Sequence, residues 1–82
     1  MTVTVRYFAA ARAAAGVEQE TVAVPPGATV ADLVDTLRTR GPDLSAVLAR
    51  CSYLRDGIAV RDTRTPLGDG QTIDVLPPFA GG

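Results

Sequence analysis

The sequence predicts an α+β fold in which a mixed sheet of about five short strands packs against one main helix. Three observations carry this. The segments TVTVRYF (2–8) and TIDVL (72–76) alternate apolar and polar residues with period two, which places a strand near each end of the chain. Val30, Leu33, Val34 and Leu37 fall at i, i+3, i+4 and i+7, one apolar stripe on one helix. Gly- and Pro-rich punctuation at 25–27, 41–42, 56–57 and 65–71 cuts the rest into short pieces.

Each element has its own local reason. In the first strand Val3, Val5 and Tyr7 share a face opposed to Thr4, Arg6 and Phe8. AAARAAAG follows, a turn or two of helix that Gly16 can stop in a left-handed conformation. Val22 and Val24 then share a face of a second strand, antiparallel to the first, and Pro25-Pro26-Gly27 ends it. The main helix opens with Thr29 as N-cap and Asp32 three residues on, and Gly41-Pro42 marks its stop. DLSAVLAR (43–50) makes a short second helical piece, and CSYLRDGIAVRD makes two short strands about the tight turn Asp56-Gly57. In the last strand Ile73 and Val75 face one way. The β-grasp arrangement of ubiquitin-like proteins fits this order, with the final strand inside the sheet.

Composition narrows the functions. With 82 residues, 46% of them hydrophobic and 21% charged, the chain suits one globular core. Eight arginines face nine acidic residues for a net charge of -1, with no basic cluster, so nucleic acid is not an expected partner. FAAARAAAGV is broken by Arg12 and is neither a membrane span nor a secretory signal, so no membrane partner and a cytoplasmic location are expected. Cys51 is the single cysteine, which rules out an internal disulfide or thiolate cluster; a small, partly buried hydrophobe is its plainest reading. Histidine is absent, and with it the usual general base, the usual metal ligand and any His-activated nucleophile. Asp32 and Asp35 read as part of a solvated helix face. No bound cofactor and no metal site are expected.

The chain divides into a domain at 1–76 and an extended tail at 77–82, PPFAGG. Glycine-rich ends are commonly frayed. Here, however, the tail follows a strand at once, and Pro77 and Pro78 favour an extended path that lowers the entropy lost on binding. Phe79 can anchor in a partner's pocket or fold back over its own domain. Ala80, Gly81 and Gly82 form a thin end suited to a narrow channel, and residues 79–82 reach about 13 Å at about 3.3 Å per residue. The reactive group is then the α-carboxylate of Gly82. A carboxylate is a poor acyl donor until it attacks the α-phosphate of ATP to form an acyl-adenylate. A sulfur donor can displace AMP from that adenylate and leave a nucleophilic thiocarboxylate. None of this needs a side chain of the carrier.

The segments VRYFAAARAAAG, with Phe8, Ala9, Arg12 and Gly16, TVADLVDTL and TPLGDGQTIDVLPPFAGG together resemble the MoaD/ThiS family of ubiquitin-like sulfur carriers over nearly the whole chain. The Gly-Gly end after Pro-Pro is the specific element. The resemblance implies that Gly82 is adenylated by an E1-like, MoeB-like activating enzyme using ATP, and is thiocarboxylated from a sulfur donor protein. It further implies that residues 77–82 enter a MoaE-like large subunit of molybdopterin synthase and that sulfur passes to cyclic pyranopterin monophosphate. Catalysis would belong to that complex, not to this chain alone. The double proline and the length favour the molybdopterin branch, whereas the Ala-Gly-Gly end is similar to carriers for thiamin thiazole or cysteine biosynthesis. A ubiquitin-like modifier that joins Gly82 to lysines, or a plain interaction module, are the further readings. Partners are expected to dock on the sheet face beside the tail, with exposed arginines such as Arg61 or Arg64 as candidate contacts.

Overall fold

The structure, a computed structural model, describes residues 1–78. Its strands are β1 (Thr2–Tyr7), β2 (Gln19–Ala23), β3 (Ser52–Arg55), β4 (Ile58–Ala59) and β5 (Thr72–Leu76), and its helices are α1 (Ala9–Ala15), α2 (Val30–Arg38) and α3 (Pro42–Leu48). The strands form one mixed sheet in the order β2-β1-β5-β3-β4. β1 and β5 run parallel, with Val5 opposite Ile73 and Tyr7 opposite Val75, while the other pairs are antiparallel. The first and last strands therefore lie side by side at the centre and end at the same edge of the molecule.

Alternation decides what this sheet buries. Val3, Val5, Tyr7, Val22, Tyr53, Ile73 and Val75 point to one face and meet Ala11 of α1, Val30, Leu33 and Leu37 of α2, and Leu44 and Leu48 of α3 in one core. Leu37 and Ile73 are completely buried, and enclosing a side chain of that size is worth about 1.5–3 kcal/mol. The expected stripe on α2 holds, with Val34 half-buried at its margin.

The turns follow their residues. Thr29 and Asp32 form a reciprocal capping box: the Asp32 N–H donates to Thr29 Oγ1 at 3.2 Å and the Thr29 N–H donates to Asp32 Oδ2 at 2.9 Å. Asp56 and Gly57 take φ of 48° and 84°, both positive as a two-residue hairpin turn requires. The same Asp56 accepts the Thr72 N–H at 2.8 Å, which ties this hairpin to the start of β5. Several boundaries differ from expectation: β1 stops at Tyr7, β2 at Ala23 and α3 at Leu48. α2 ends at Arg38, ahead of Gly41-Pro42, where the chain tightens: the Thr39 and Arg40 N–H groups donate to the Thr36 and Leu37 carbonyls, three residues back, at 3.2 and 3.1 Å. α3 begins at Pro42, whose fixed φ and missing N–H suit a first helical position.

Candidate functional site

The sequence places the site at the end of β5, and the geometry there starts with that strand's neighbours. β5 is hydrogen-bonded to β1 on one side and β3 on the other, and Ile73, Asp74 and Val75 are buried. The ladder stops after Leu76, which faces Ser52, because neither Pro77 nor Pro78 has an N–H to give. Pro77 is half-buried and Pro78 exposed. Phe79, Ala80, Gly81 and Gly82 lie outside the described residues.

Three arrangements surround the root of the tail. On the sheet face away from the helices, Arg6 grips Asp74 with two hydrogen bonds, Nε to Oδ1 at 2.7 Å and Nη2 to Oδ2 at 3.1 Å. The guanidinium also lies 5.3 Å from the centre of the Phe8 ring, which is partly exposed. Leu54 and Leu76 share this face, both half-buried. A mixed surface of this kind, apolar beside a fixed charge pair, suits a protein partner.

At the same end but inside the sheet, the Tyr7 hydroxyl donates to Glu20 Oε2 at 2.8 Å, and Glu20 Oε1 pairs with Arg40 Nη1 at 2.7 Å. Burial, reinforced by the hydrogen bond to Glu20, holds the Tyr7 hydroxyl well above its ordinary pKa. This network ties β1, β2 and the segment after α2 together one residue pair before the tail departs. On the third side, Ala10 of α1, Ala46 and Val47 of α3, Arg50, Pro77 and Pro78 line an open groove of about 330 Å³.

Ser52, opposite Leu76 at the tail root, has no histidine to activate it, since the sequence contains none. Cys51 is half-buried against the core, its thiol donates to the Val47 carbonyl at 3.2 Å, and burial pushes its pKa up. Among the described residues no three of His, Cys, Asp and Glu gather as metal ligands, and no helix is long and apolar enough to cross a membrane. Arg61 and Arg64 sit on the exposed segment after β4, where Arg64 pairs with Asp62 at 2.9 Å. That segment also accepts the first N–H groups of α2, since Thr63 and Thr65 carbonyls bond to Ala31 and Val30. Sequence reasoning missed the Arg6–Asp74 grip and the groove. Arg6 and Asp74 both occupy polar positions of their strands, but their meeting depends on the parallel register of β1 and β5.

A five-stranded mixed sheet with its last strand central and its helices on one face defines a ubiquitin-like β-grasp protein. The chain belongs to the ThiS family, whose family model matches residues 5–82. It is 32% identical over 83 residues to the molybdopterin synthase sulfur carrier subunit of Chlamydomonas reinhardtii, covering all of both chains. Among solved structures it is similar to SAMP1, a small archaeal modifier protein of Haloferax volcanii, with a TM-score of 0.87 and 28% identity over the full length of both chains. It is also similar to a chain in the protein–protein complex of subunits 1 and 2 of molybdopterin-converting factor from Helicobacter pylori, with a TM-score of 0.75 and 27% identity over the full length of both.

Proposed function

We propose that this chain is the sulfur-carrying small subunit of a molybdopterin synthase. The observation that carries the reading is the tail's origin: Pro77-Pro78 follows directly on the central strand of the sheet. The end-to-end match to a sulfur carrier subunit supports it. The Gly82 carboxylate attacks the α-phosphate of ATP on an E1-like, MoeB-like enzyme and releases pyrophosphate. The terminal sulfur of a donor protein's persulfide then displaces AMP, and a thiol reductant cleaves the resulting acyl disulfide, releasing the donor and leaving the thiocarboxylate. Residues 77–82 enter a MoaE-like large subunit, where the terminal sulfur attacks cyclic pyranopterin monophosphate, water then cleaves the acyl–sulfur bond to leave the sulfur on the substrate and restore the Gly82 carboxylate, and the partner's side chains carry the proton transfers. The carrier binds no cofactor of its own and works in the cytoplasm.

The division of labour follows from chemistry. Acyl transfer from Gly82 needs a leaving group and a nucleophile, both supplied by partners. The domain supplies a firm base and a docking face, the surface around Leu54, Leu76 and the Arg6–Asp74 pair. Co-elution with a purified MoaE-like subunit tests this reading. A stoichiometric complex that weakens at least tenfold when residues 79–82 are removed is expected, and no complex with the intact chain would sink it. The likeness to SAMP1 favours a second reading, a modifier joined through Gly82 to lysines of other proteins. Higher-mass adducts that depend on Gly82 in cell extracts would mark that activity.

A further inference from the structure

We infer that the groove between α1 and α3 is a docking site for the ring of this chain's own Phe79, which parks the tail against the domain when no partner holds it. The groove has a volume of about 330 Å³ and is walled by Ala10, Ala46, Val47, Arg50, Pro77 and Pro78. Apolar cavities of about 150 Å³ hold a benzene ring, so a phenyl group fits here with room to enter from the open side. The space exists because both helices present alanine to it. Ala10 and Ala46 are exposed, each offering a single methyl where a longer side chain would close the gap.

The occupant follows from where the described chain ends. Pro77 and Pro78 form one wall, so the next Cα lies about 3.8 Å beyond a residue that already lines the groove. Of the four residues after Pro78, Phe79 carries the one large apolar side chain; Ala80, Gly81 and Gly82 offer a methyl or nothing. The two proline rings restrict the backbone that delivers it, which lowers the entropy lost on docking. Arg50 adds a cation to the rim. Among the described residues the ion pairs are Arg6–Asp74, Arg40–Glu20 and Arg64–Asp62, so its guanidinium is available to an aromatic face.

The contact itself stands apart from the sulfur-carrier reading; its consequence rests on that reading. A parked tail competes with the activating enzyme and with the large subunit for the same residues. Capture of the tail is weakened by the reciprocal of the unparked fraction, about tenfold when nine molecules in ten are parked. Phe79 then serves the free carrier as well as the complex.

Nuclear Overhauser measurements on the full chain test the contact. The sequence has two phenylalanines, Phe8 and Phe79, so the Phe79→Ala spectrum assigns the ring unambiguously. Cross-peaks from the Phe79 ring to the methyls of Ala10, Ala46 and Val47 are expected, with those methyls losing their ring-current shifts in Phe79→Ala. Ala46→Glu, a change at an exposed helical position, is expected to abolish the cross-peaks while leaving the core methyl spectrum intact. Absence of the cross-peaks in the unaltered chain overturns the inference. Cross-peaks that vanish on dilution as the mass falls to that of one chain also overturn it, since a second copy's tail would then be the occupant. No sulfur chemistry enters this readout, so its failure leaves the proposed function standing.

Discussion

Replacing Tyr7 by Phe deletes one oxygen from the fully enclosed end of β1 and leaves the ring in place. In the native protein that oxygen donates to Glu20 at 2.8 Å, and Glu20 keeps a second contact to Arg40 at 2.7 Å. A hydrogen bond to a charged acceptor contributes about 1.5–3 kcal/mol. The Glu20 side chain retains 19% of its surface and its arginine partner, so water and Arg40 offset part of the loss. The lower end of the range, about 1.5 kcal/mol, is therefore expected. For 82 residues an unfolding entropy of about 2.1 cal/mol/K per residue gives about 0.17 kcal/mol/K, so Tm falls by about 9 °C. Thermal unfolding followed by circular dichroism, with a urea titration for the free energy, measures both. In a Glu20→Gln background the same change is expected to cost less than about 1 kcal/mol, since the charge on the acceptor is gone. A fall of under about 3 °C, or an equal cost in both backgrounds, would refute the claim that this bond braces the end of the sheet.

Alkaline pH should find the same residue. Tyr7 and Tyr53 are both held above their ordinary pKa, chiefly by burial, with Tyr53 pushed up to about 12 while its hydroxyl donates to the Leu48 carbonyl at 3.0 Å. A raised native pKa means the unfolded chain loses its protons first. Stability is thus whole below about pH 10 and falls above it, by up to about 1.4 kcal/mol per pH unit per tyrosine, and Tyr53→Phe should flatten that fall between about pH 10 and 12 in denaturant titrations. Thr29→Ala removes the capping box of α2 and is expected to cost about 1 kcal/mol by the same method, while Thr29→Ser restores most of it. Cys51, half-buried and with its thiol pKa raised, should react with a disulfide reagent at pH 8 much more slowly than a free thiol and speed up in mild denaturant. A rate matching the free thiol would contradict its packing against the core.

Elements governed by their own sequence were legible. The period-two runs at 2–8 and 72–76, the stripe on α2, the Thr29–Asp32 box and the Asp56-Gly57 turn each need neighbours a few residues away, and each forms the element read from it, β1 stopping one residue early because Phe8 caps α1. Ends were less legible, because α2 tightens into bonds three residues back at Thr39 and Arg40 before it reaches Gly41. Contacts between distant segments were not legible. Arg6 meets Asp74 across 68 positions, and Tyr7 meets Glu20 and Arg40 through two different neighbours, so both need the topology first. The groove depends on two alanines, Ala10 and Ala46, which mean little in a helix until a second helix lies opposite. Of the tail, the sequence showed where it leaves the domain, at the end of β5; the chemistry read at Gly82 falls outside the described residues and belongs to the proposed function.

Intact-protein mass spectrometry tests the central claim most directly. The full chain is incubated with ATP, a sulfide source and an E1-like activating enzyme, beside a variant lacking Gly82. A mass gain equal to the exchange of one oxygen for one sulfur is expected, dependent on ATP and absent from the variant. No gain with an activating enzyme proven on another carrier, or an equal gain without Gly82, would contradict it.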